Sequence, residues 1–441
     1  MDWQYRVFDL LTNIRYLIEL HIVYILYAPL ATFATDRLII FLNLHFDLFI
    51  EIFVTFFLEL VEIFLSMRSC LSACPRANMS VDFVPIFAKN EIGASYTDLG
   101  LIGLANFVPY MFIPVFVGML VQRFNAGKLL CFGIGINTAS VFLLSLARSV
   151  PEVMILRAMT GVAHAFFWPP AETIISNVSE GRSRVKNISK FTGFFVAGFM
   201  IGPLVGTVLL QGLDVSYRVL FEIATFVMAS SIIFALQITK KQGHRENSDF
   251  SFGALKQVIK FPTIIMILIY CASSFGMILT IYPAFLNDRN FTATEIEILY
   301  FVFGASRVMT LALTEKFANH TSLTLIASIV CISTGLVISF VSYSFLQFSV
   351  AMVLMGFGFS IIFPLTLEII LRKTPKETQG VTIGVYETTF GIGWAIGPLA
   401  AGLISQFSGN AIPYLVFFGI GLGVTAISVV RKQSLEPARI I

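Results

Sequence analysis

The chain has 441 residues, 57% of them hydrophobic and 12% charged, with a mean hydropathy of +0.85 and a formal charge of +3. A soluble surface would need about twice that charged fraction, so a soluble globular protein is excluded. The basic residues fall in short connections instead of along one face, which argues against a nucleic-acid partner.

Residues 1–62 stand apart. Leu38 to Leu65 is apolar and rich in Phe, yet Asp47, Glu51, Glu59 and Glu62 recur at helical spacing. Four carboxylates on one side of a lipid-exposed helix are expensive. Asp47 and Glu51 could begin a metal site, but no His or second carboxylate pair at ligand spacing completes it. The segment is expected to be a pair of accessory helices or a reading-frame extension upstream of Met67. No short apolar region followed by a small-residue cleavage site marks a signal peptide.

From Ile63 onward the pattern becomes regular. Twelve spans are predicted near 63–88, 95–119, 129–148, 151–177, 188–211, 217–238, 258–286, 293–314, 321–342, 346–371, 379–406 and 410–430. Each is long enough for about 30 Å of hydrocarbon. The first is the most polar, carrying Arg68, Pro75, Arg76 and Asp82. With its start placed in the cytoplasm, eighteen Lys and Arg residues fall on the inner side and only Lys89, Arg148, Arg218 and Arg289 on the outer. The expected topology puts loops 2–3, 4–5, 6–7, 8–9 and 10–11 and the C-terminus in the cytoplasm, as in a multi-pass plasma-membrane protein. A polar, basic stretch, 239–257, separates lobes 63–238 and 258–431, and 432–441 forms a cytoplasmic tail. Cys70, Cys74, Cys131, Cys271 and Cys331 show no CxxC spacing and read as small hydrophobes.

The two halves repeat. Gly161, Pro169, Gly198, Gly202 and Pro203 recur without a gap as Gly356, Pro364, Gly393, Gly397 and Pro398, an offset of 195. VPIF at Val84 answers YPAF at Tyr282 with an offset of 198. Glycine and proline are costly in helices in water, but are tolerated where membrane helices approach closely. Duplicated halves of this kind build many secondary transporters.

These residues resemble the major facilitator superfamily over Ile63 to Arg431. GMLVQRFNAGK from Gly118 is similar to that family's loop between spans two and three. Gly118, Leu120 and Arg123 match and Lys128 is a displaced basic residue, while Gln122 stands at the acidic position. LTEKF at Leu313 is a faint echo in the other half, with Glu315 at the acidic position followed by Lys316. LRAMTGVAHA from Leu156 resembles the span-four motif with its embedded arginine, here Arg157. GFMIGPLVGT from Gly198 resembles the span-five antiporter motif, with Thr207 replacing its last glycine. The resemblance implies an all-α membrane protein with the twelve-helix fold, two six-helix lobes related by a pseudo-twofold axis, plus the N-terminal extension. It also implies a cavity lined by spans one, four, seven and ten, and suggests the drug/proton antiporter branch.

An ionisable residue inside a span is a candidate functional residue. Asp82 and Arg157 each lie about 9 Å below the outer surface at 1.5 Å per residue. They read either as a proton site with its switchable partner or as a fixed structural pair. His164, on the face of Arg157, is a relay or a hydrogen-bonded structural histidine. Arg76 and Asn78 in span one, with Tyr270, Ser273, Ser274 and Tyr282 in span seven, are the candidate substrate-cavity residues. Arg307 and Glu387, at similar depth, are expected to pair. Glu172 and Glu368, closing spans four and ten, are expected to be solvated. Gly118, Gln122, Arg123, Lys128, Glu315 and Lys316 are the candidate gating-loop residues. Gly198, Gly202, Pro203 and Gly206, with Gly393, Gly397, Pro398 and Gly402, are expected to pack and pivot at the lobe interface.

The function expected from this is secondary active transport of a small organic molecule by alternating access, with proton-coupled export as the leading form. Uptake or exchange of an organic anion is the alternative within transport, and a permease-like sensor the alternative outside it. No cofactor is expected beyond the proton gradient, no metal, and no partner beyond substrate and bilayer, so the chain is expected to be monomeric. An enzyme is not expected, because no acidic metal motif follows Ile63, and no P-loop appears.

Overall fold

The computed structural model describes residues 84–94, 96–207, 209–210, 215–241 and 260–436. Contacts divide the chain between residues 66 and 67, and every described residue belongs to the second unit. The accessory or extension reading of residues 1–62 lies outside the described residues.

Among the described residues the regular structure is helical. The elements are α1 (Val84–Asn90), α2 (Tyr96–Arg123), α3 (Ala126–Leu146), α4 (Val150–Val178), α5 (Gly181–Thr207) and α6 (Tyr217–Lys241). They continue with α7 (Pro262–Thr280), α8 (Ala293–Phe317), α9 (Thr321–Val341), α10 (Phe345–Arg372), α11 (Gln379–Ser408) and α12 (Ile412–Val430). After a break at Ile281, α7 gains a short extension, Tyr282–Asp288. That extension and α1 are each seven residues long and begin at the matched VPIF and YPAF segments. Among the described residues, eight helical stretches are long and apolar enough to span a bilayer, one of them, Glu295–Val341, containing two consecutive helices. This is a multi-pass membrane protein.

Local chemistry sets the helix ends. Asn125 caps α3 by accepting from the Lys128 N–H, and also donates to the Thr239 carbonyl at the end of α6. Capping boxes of Thr292 with Glu295 and Ser344 with Gln347 start α8 and α10. Gly409, at φ 103, ends α11 in a conformation that a side chain would strain. The helix α5 starts seven residues earlier than its apolar run predicts. Its first turns, carrying Arg182, Arg184, Lys186 and Lys190, form an amphipathic helical stem outside the hydrocarbon. At the other junction α6 continues to Lys241, inside the expected linker. The tail after α12 does not simply leave the bundle, because Leu435 is buried and the Ser434 hydroxyl donates to Thr263 at the start of α7.

The packing repeats as the sequence does. In the first lobe α4 lies against α2 and α3, and α3 against α6; in the second α10 lies against α8 and α9, and α9 against α12. Gly161 of α4 abuts the Asn106 carbonyl of α2, and its repeat partner Gly356 of α10 abuts the Phe303 carbonyl of α8. The lobes meet through α2 against α11 and α5 against α8. The pseudo-twofold exchanges these two contacts, since it relates α2 to α8 and α5 to α11. The helices of Gly202 and Gly397 therefore make equivalent contacts across the lobe boundary.

A glycine seam carries the α2–α11 contact. Gly380, Gly384 and Gly391 share one face of α11, within about 40° on a helical wheel. They lie on the carbonyls of Gly118, Pro114 and Tyr110 of α2. A Cβ at Gly118 would come within 2.5 Å of the Gly380 carbonyl oxygen. Close backbone approach of this kind drives helix association in lipid, where burial from water is absent.

Candidate functional site

Between the lobes lies a cavity of about 460 Å³, and twelve of its twenty-three lining residues are aromatic. Helix α7 contributes Cys271, Phe275, Leu279 and, from the extension, Pro283, an i+4 progression that selects one face. The Phe275 ring stacks on Trp394 of α11, with centroids 5.7 Å apart and planes 7° from parallel. Helix α8 adds Tyr300, Phe303 and Arg307, while α5 adds Phe195 and Phe199. The cavity reaches the end of α8 that carries Glu297, which is exposed.

The base of the cavity is built across the lobe boundary. The Tyr110 hydroxyl of α2 donates to Glu387 Oε2 of α11. Behind Glu387, the carboxyl of Glu172 on α4 lies against it, fully buried, with neither oxygen in a well-formed hydrogen bond. Trp168 of α4 faces Phe363 of α10 there, with ring centroids 6.2 Å apart. Beyond this base the lobes close. Gly118 seats on Gly380 and Gly384, and Gln122 Nε2 donates to the Glu377 carbonyl at 3.0 Å. Arg184 of α5 pairs with Glu368 of α10 at 3.0 Å, both buried. At the rim Lys186 meets Glu315 at 2.9 Å and Lys376 meets Glu180 at 2.6 Å. The hydrogen bond and charge of Lys376 hold the Glu180 carboxyl below its ordinary pKa. Among the described residues the lobes are thus closed on the side of the basic loops, with the cavity toward the opposite side.

Several sequence expectations are corrected here. Tyr270, Ser273, Ser274 and Tyr282 are buried in the second lobe and do not line the cavity. Tyr270 bonds Ser333 and Tyr282 bonds Ser339, both on α9, and the Ser273 backbone seats Gly397. Tyr270 and Ser273 lie on faces of α7 turned away from Phe275. Arg307 and Glu387 line the same cavity but form no ion pair. Glu387 is engaged by Tyr110, and Arg307 lies over the Phe275 and Phe303 rings, at 4.7 and 5.6 Å. His164 lines a separate void of about 20 Å³ inside the first lobe, with Asn137 and Ser231, behind Trp168 and Phe195. Arg157 is buried on α4, away from the main cavity. Glu172 and Glu368 are not solvated: one lies behind the cavity base and the other in the Arg184 pair.

The glycine motifs also move. Gly393, Gly397 and Gly402 of α11 face α7, as does Pro398, which lies near Gly276. They pack inside one lobe, and Gly393 and Gly397 are about opposite on the helical wheel to the interface seam. Gly198, Gly202 and Gly206 are buried on the side of α5 opposite Gly193 and Met200, which touch Leu311 and Gly304 of the other lobe. Gln122 and Glu315 do join the lobes, whereas Arg123, Lys128 and Lys316 are exposed beside them. The side chain of Pro203 lies outside the described residues, as do Asp82, Arg76 and Asn78. The cavity residues missed by sequence, Tyr110, Trp168, Phe275 and Trp394, are uncharged aromatics in a chain with 45 Phe, so composition gives no contrast.

The family model of the Major Facilitator Superfamily matches residues 69–398 and 274–439. The chain belongs to the major facilitator superfamily. It is accordingly a transporter and not an enzyme, and handles small-molecule substrates within a membrane. It is 23% identical over 367 residues to Quinolone resistance protein NorA of Staphylococcus aureus strain Mu50, covering 80% of this chain and 92% of that protein. It is 23% identical over 346 residues to Multidrug resistance protein 1 of Bacillus subtilis strain 168, covering 76% and 87%. The crystal structure of the human organic anion transporter MFSD10 superposes with a TM-score of 0.70 at 12% identity, covering 81% of this chain and 96% of that one. This likeness shows the shared fold.

Proposed function

We propose that this superfamily transporter exports a flat aromatic organic molecule against inward proton flow. The observation that carries the reading is the aromatic cavity whose base is a hydrogen bond between lobes, from Tyr110 to Glu387. Stacked rings such as Phe275 and Trp394 suit a planar ligand. Two carboxyl groups side by side in a dry site share a proton more readily than they both ionise. In this reading Glu387 and Glu172 take up that proton from the outer side through the cavity while the base is closed, and release it to the cytoplasm once α4 and α11 have moved apart. Asp82 with Arg157 is a second candidate proton site. The relatives named for drug resistance support export, and so does the span-five motif.

The positive-inside rule puts the sealed side in the cytoplasm, with 239–257 as a cytoplasmic linker between lobes, and the chain acts as a monomer in the plasma membrane. The glycine seams of α2 and α11 carry the rocking motion.

Flux of an aromatic probe in proteoliposomes under an imposed pH gradient tests the proposal, comparing wild type with Glu387→Gln, Glu172→Gln and Asp82→Asn. Loss of gradient-driven flux with retained probe binding in the Glu387 and Glu172 variants is the expected result. Unaltered gradient dependence in both removes the pair from the mechanism. The same loss confined to Asp82→Asn moves the coupling site to span one.

A further inference from the structure

Among the described residues that line the cavity there is one cation, and no anion pairs with it. Arg307 reaches the cavity from α8, four residues beyond Phe303 and on the same face. Its Nε is buried without a hydrogen-bond partner. Among the described residues no carboxylate comes within ion-pair distance of it. Aromatic faces hold it instead: Phe275 and Phe303 receive the guanidinium, and Cys271 is the titratable neighbour on α7. Of the two carboxylates lining the same cavity, Glu387 is engaged by Tyr110 and neighboured by Glu172, and Glu297 is exposed at the far end.

A permanent charge placed in a largely apolar cavity without a counterion is expensive. Cation–π contact offsets part of that cost but leaves the in-plane N–H donors unused. Those donors lie in the plane of a rigid fork that matches an oxyanion. Beside them stands the Phe275–Trp394 stack, which offers an aromatic face within the same cavity.

Resting on the export reading above, we infer that Arg307 binds an anionic group carried on the substrate's ring system. The substrate is an aromatic carboxylate or sulfonate, alone or as the anionic half of a zwitterion. A purely cationic aromatic, the other class suggested by the sequence motifs, meets a fixed like charge here and is disfavoured. Arg307 is thereby a specificity-determining residue, and the missing counterion is supplied by the cargo.

The test uses two membrane-impermeant probes with one ring and opposite charges, naphthalene-2-sulfonate and 2-naphthyltrimethylammonium. Binding of each to the full chain in lipid nanodiscs is measured by calorimetry for wild type, Arg307→Gln and Arg307→Lys. Wild type is expected to prefer the sulfonate. Arg307→Gln should lower the sulfonate-to-ammonium affinity ratio about tenfold to a hundredfold, the scale of a charge-assisted hydrogen bond. Arg307→Lys should keep most of the preference, which also controls for misfolding. A wild-type preference for the ammonium probe, or a ratio unmoved in Arg307→Gln, overturns the inference and leaves the cavity reading intact. Wild-type protein that binds neither probe overturns both.

Discussion

Trp168 and Phe363 are 195 residues apart, the period of the repeat, and their rings meet across the lobe boundary with centroids 6.2 Å apart. Two equivalent positions can touch only where the pseudo-twofold axis passes, so the axis runs through the base of the cavity. Each lobe contributes the same element to the floor, one as indole and one as phenyl. Aromatic contacts of this geometry are worth about 0.5–1.5 kcal/mol beyond area burial. A double-mutant cycle of Trp168→Ala and Phe363→Ala, read by thermal unfolding in nanodiscs, should show coupling of about that size. Strictly additive effects would show that the two rings do not support one another.

The two glycine faces of α11 should respond differently to a side chain. Gly384 lies on the Pro114 carbonyl of the other lobe, whereas Gly397 lies on the Ser273 carbonyl within its own. Gly384→Val should leave both lobes folded and drive the basic-loop side open. Gly397→Val should instead reduce the yield of folded protein. A cysteine placed at Val121, buried in that seam, reports the difference in an otherwise cysteine-free chain. Its labelling by an impermeant thiol reagent should rise several-fold in Gly384→Val. Equal labelling in parent and variant would mean that the seam is not what closes this side.

The polar contacts that close the basic-loop side differ in weight. Arg184 and Glu368 are 3% and 6% exposed, and Arg184 also donates to the Ser179 carbonyl. Removing one partner of a buried pair typically costs about 3–5 kcal/mol. Arg372 at 3.2 Å still partners Glu368 when Arg184 is removed, so Glu368→Gln, which leaves the buried Arg184 guanidinium without a counter-charge, should be more damaging than Arg184→Ala. Lys186 and Glu315 are 47% and 41% exposed, and such a surface pair contributes about 0–1 kcal/mol. Unfolding temperatures should therefore fall clearly for Glu368→Gln and hardly for Glu315→Gln. Added salt should erase only the smaller effect.

Acid should act on transport before it acts on the rim. The Glu180 carboxyl is held low by Lys376, so its folded value lies below its unfolded one. The stabilisation it gives is present above the ordinary carboxylate range and is lost as pH falls through the lowered value. Near neutral pH this pair does not titrate. Glu180→Gln should leave the pH profile of flux between about pH 6 and 8 in place, while Glu387→Gln moves it. A profile displaced by Glu180→Gln would relocate the pH sensitivity to the rim.

The reach of sequence is clearest where a residue's meaning depends on the chain alone. Twelve spans and the 195-residue repeat follow from apolar run length and from glycine and proline positions, because bilayer thickness and backbone satisfaction act on each helix separately. Gly161 and Gly356 then pack alike, as duplicated positions should. A loop pattern that resembled a known one marked Gln122 and Glu315 as candidate gating residues, and the structure supplied the contacts by which they join the lobes. Side-chain facing was not legible in the same way. In α7 hydroxyl and phenol groups marked Tyr270, Ser273, Ser274 and Tyr282 as cavity candidates, yet Phe275 and Cys271 face the space and the two phenols bond to α9. Polar atoms in lipid seek partners inside the bundle first, which draws them away from a cavity that rings can line at no such cost.

By itself, then, the amino-acid order determined a membrane transporter of two related six-helix lobes, since hydropathy and repetition are properties of a line of residues. Only the tertiary structure decided which carboxylate meets which partner. Glu387 was matched by depth to Arg307, but it meets Tyr110 and Glu172 because α2 and α4 of the other lobe cross α11 at that level. Depth along a helix is written in the sequence, whereas azimuth relative to a helix nearly three hundred positions away is set by how the lobes dock.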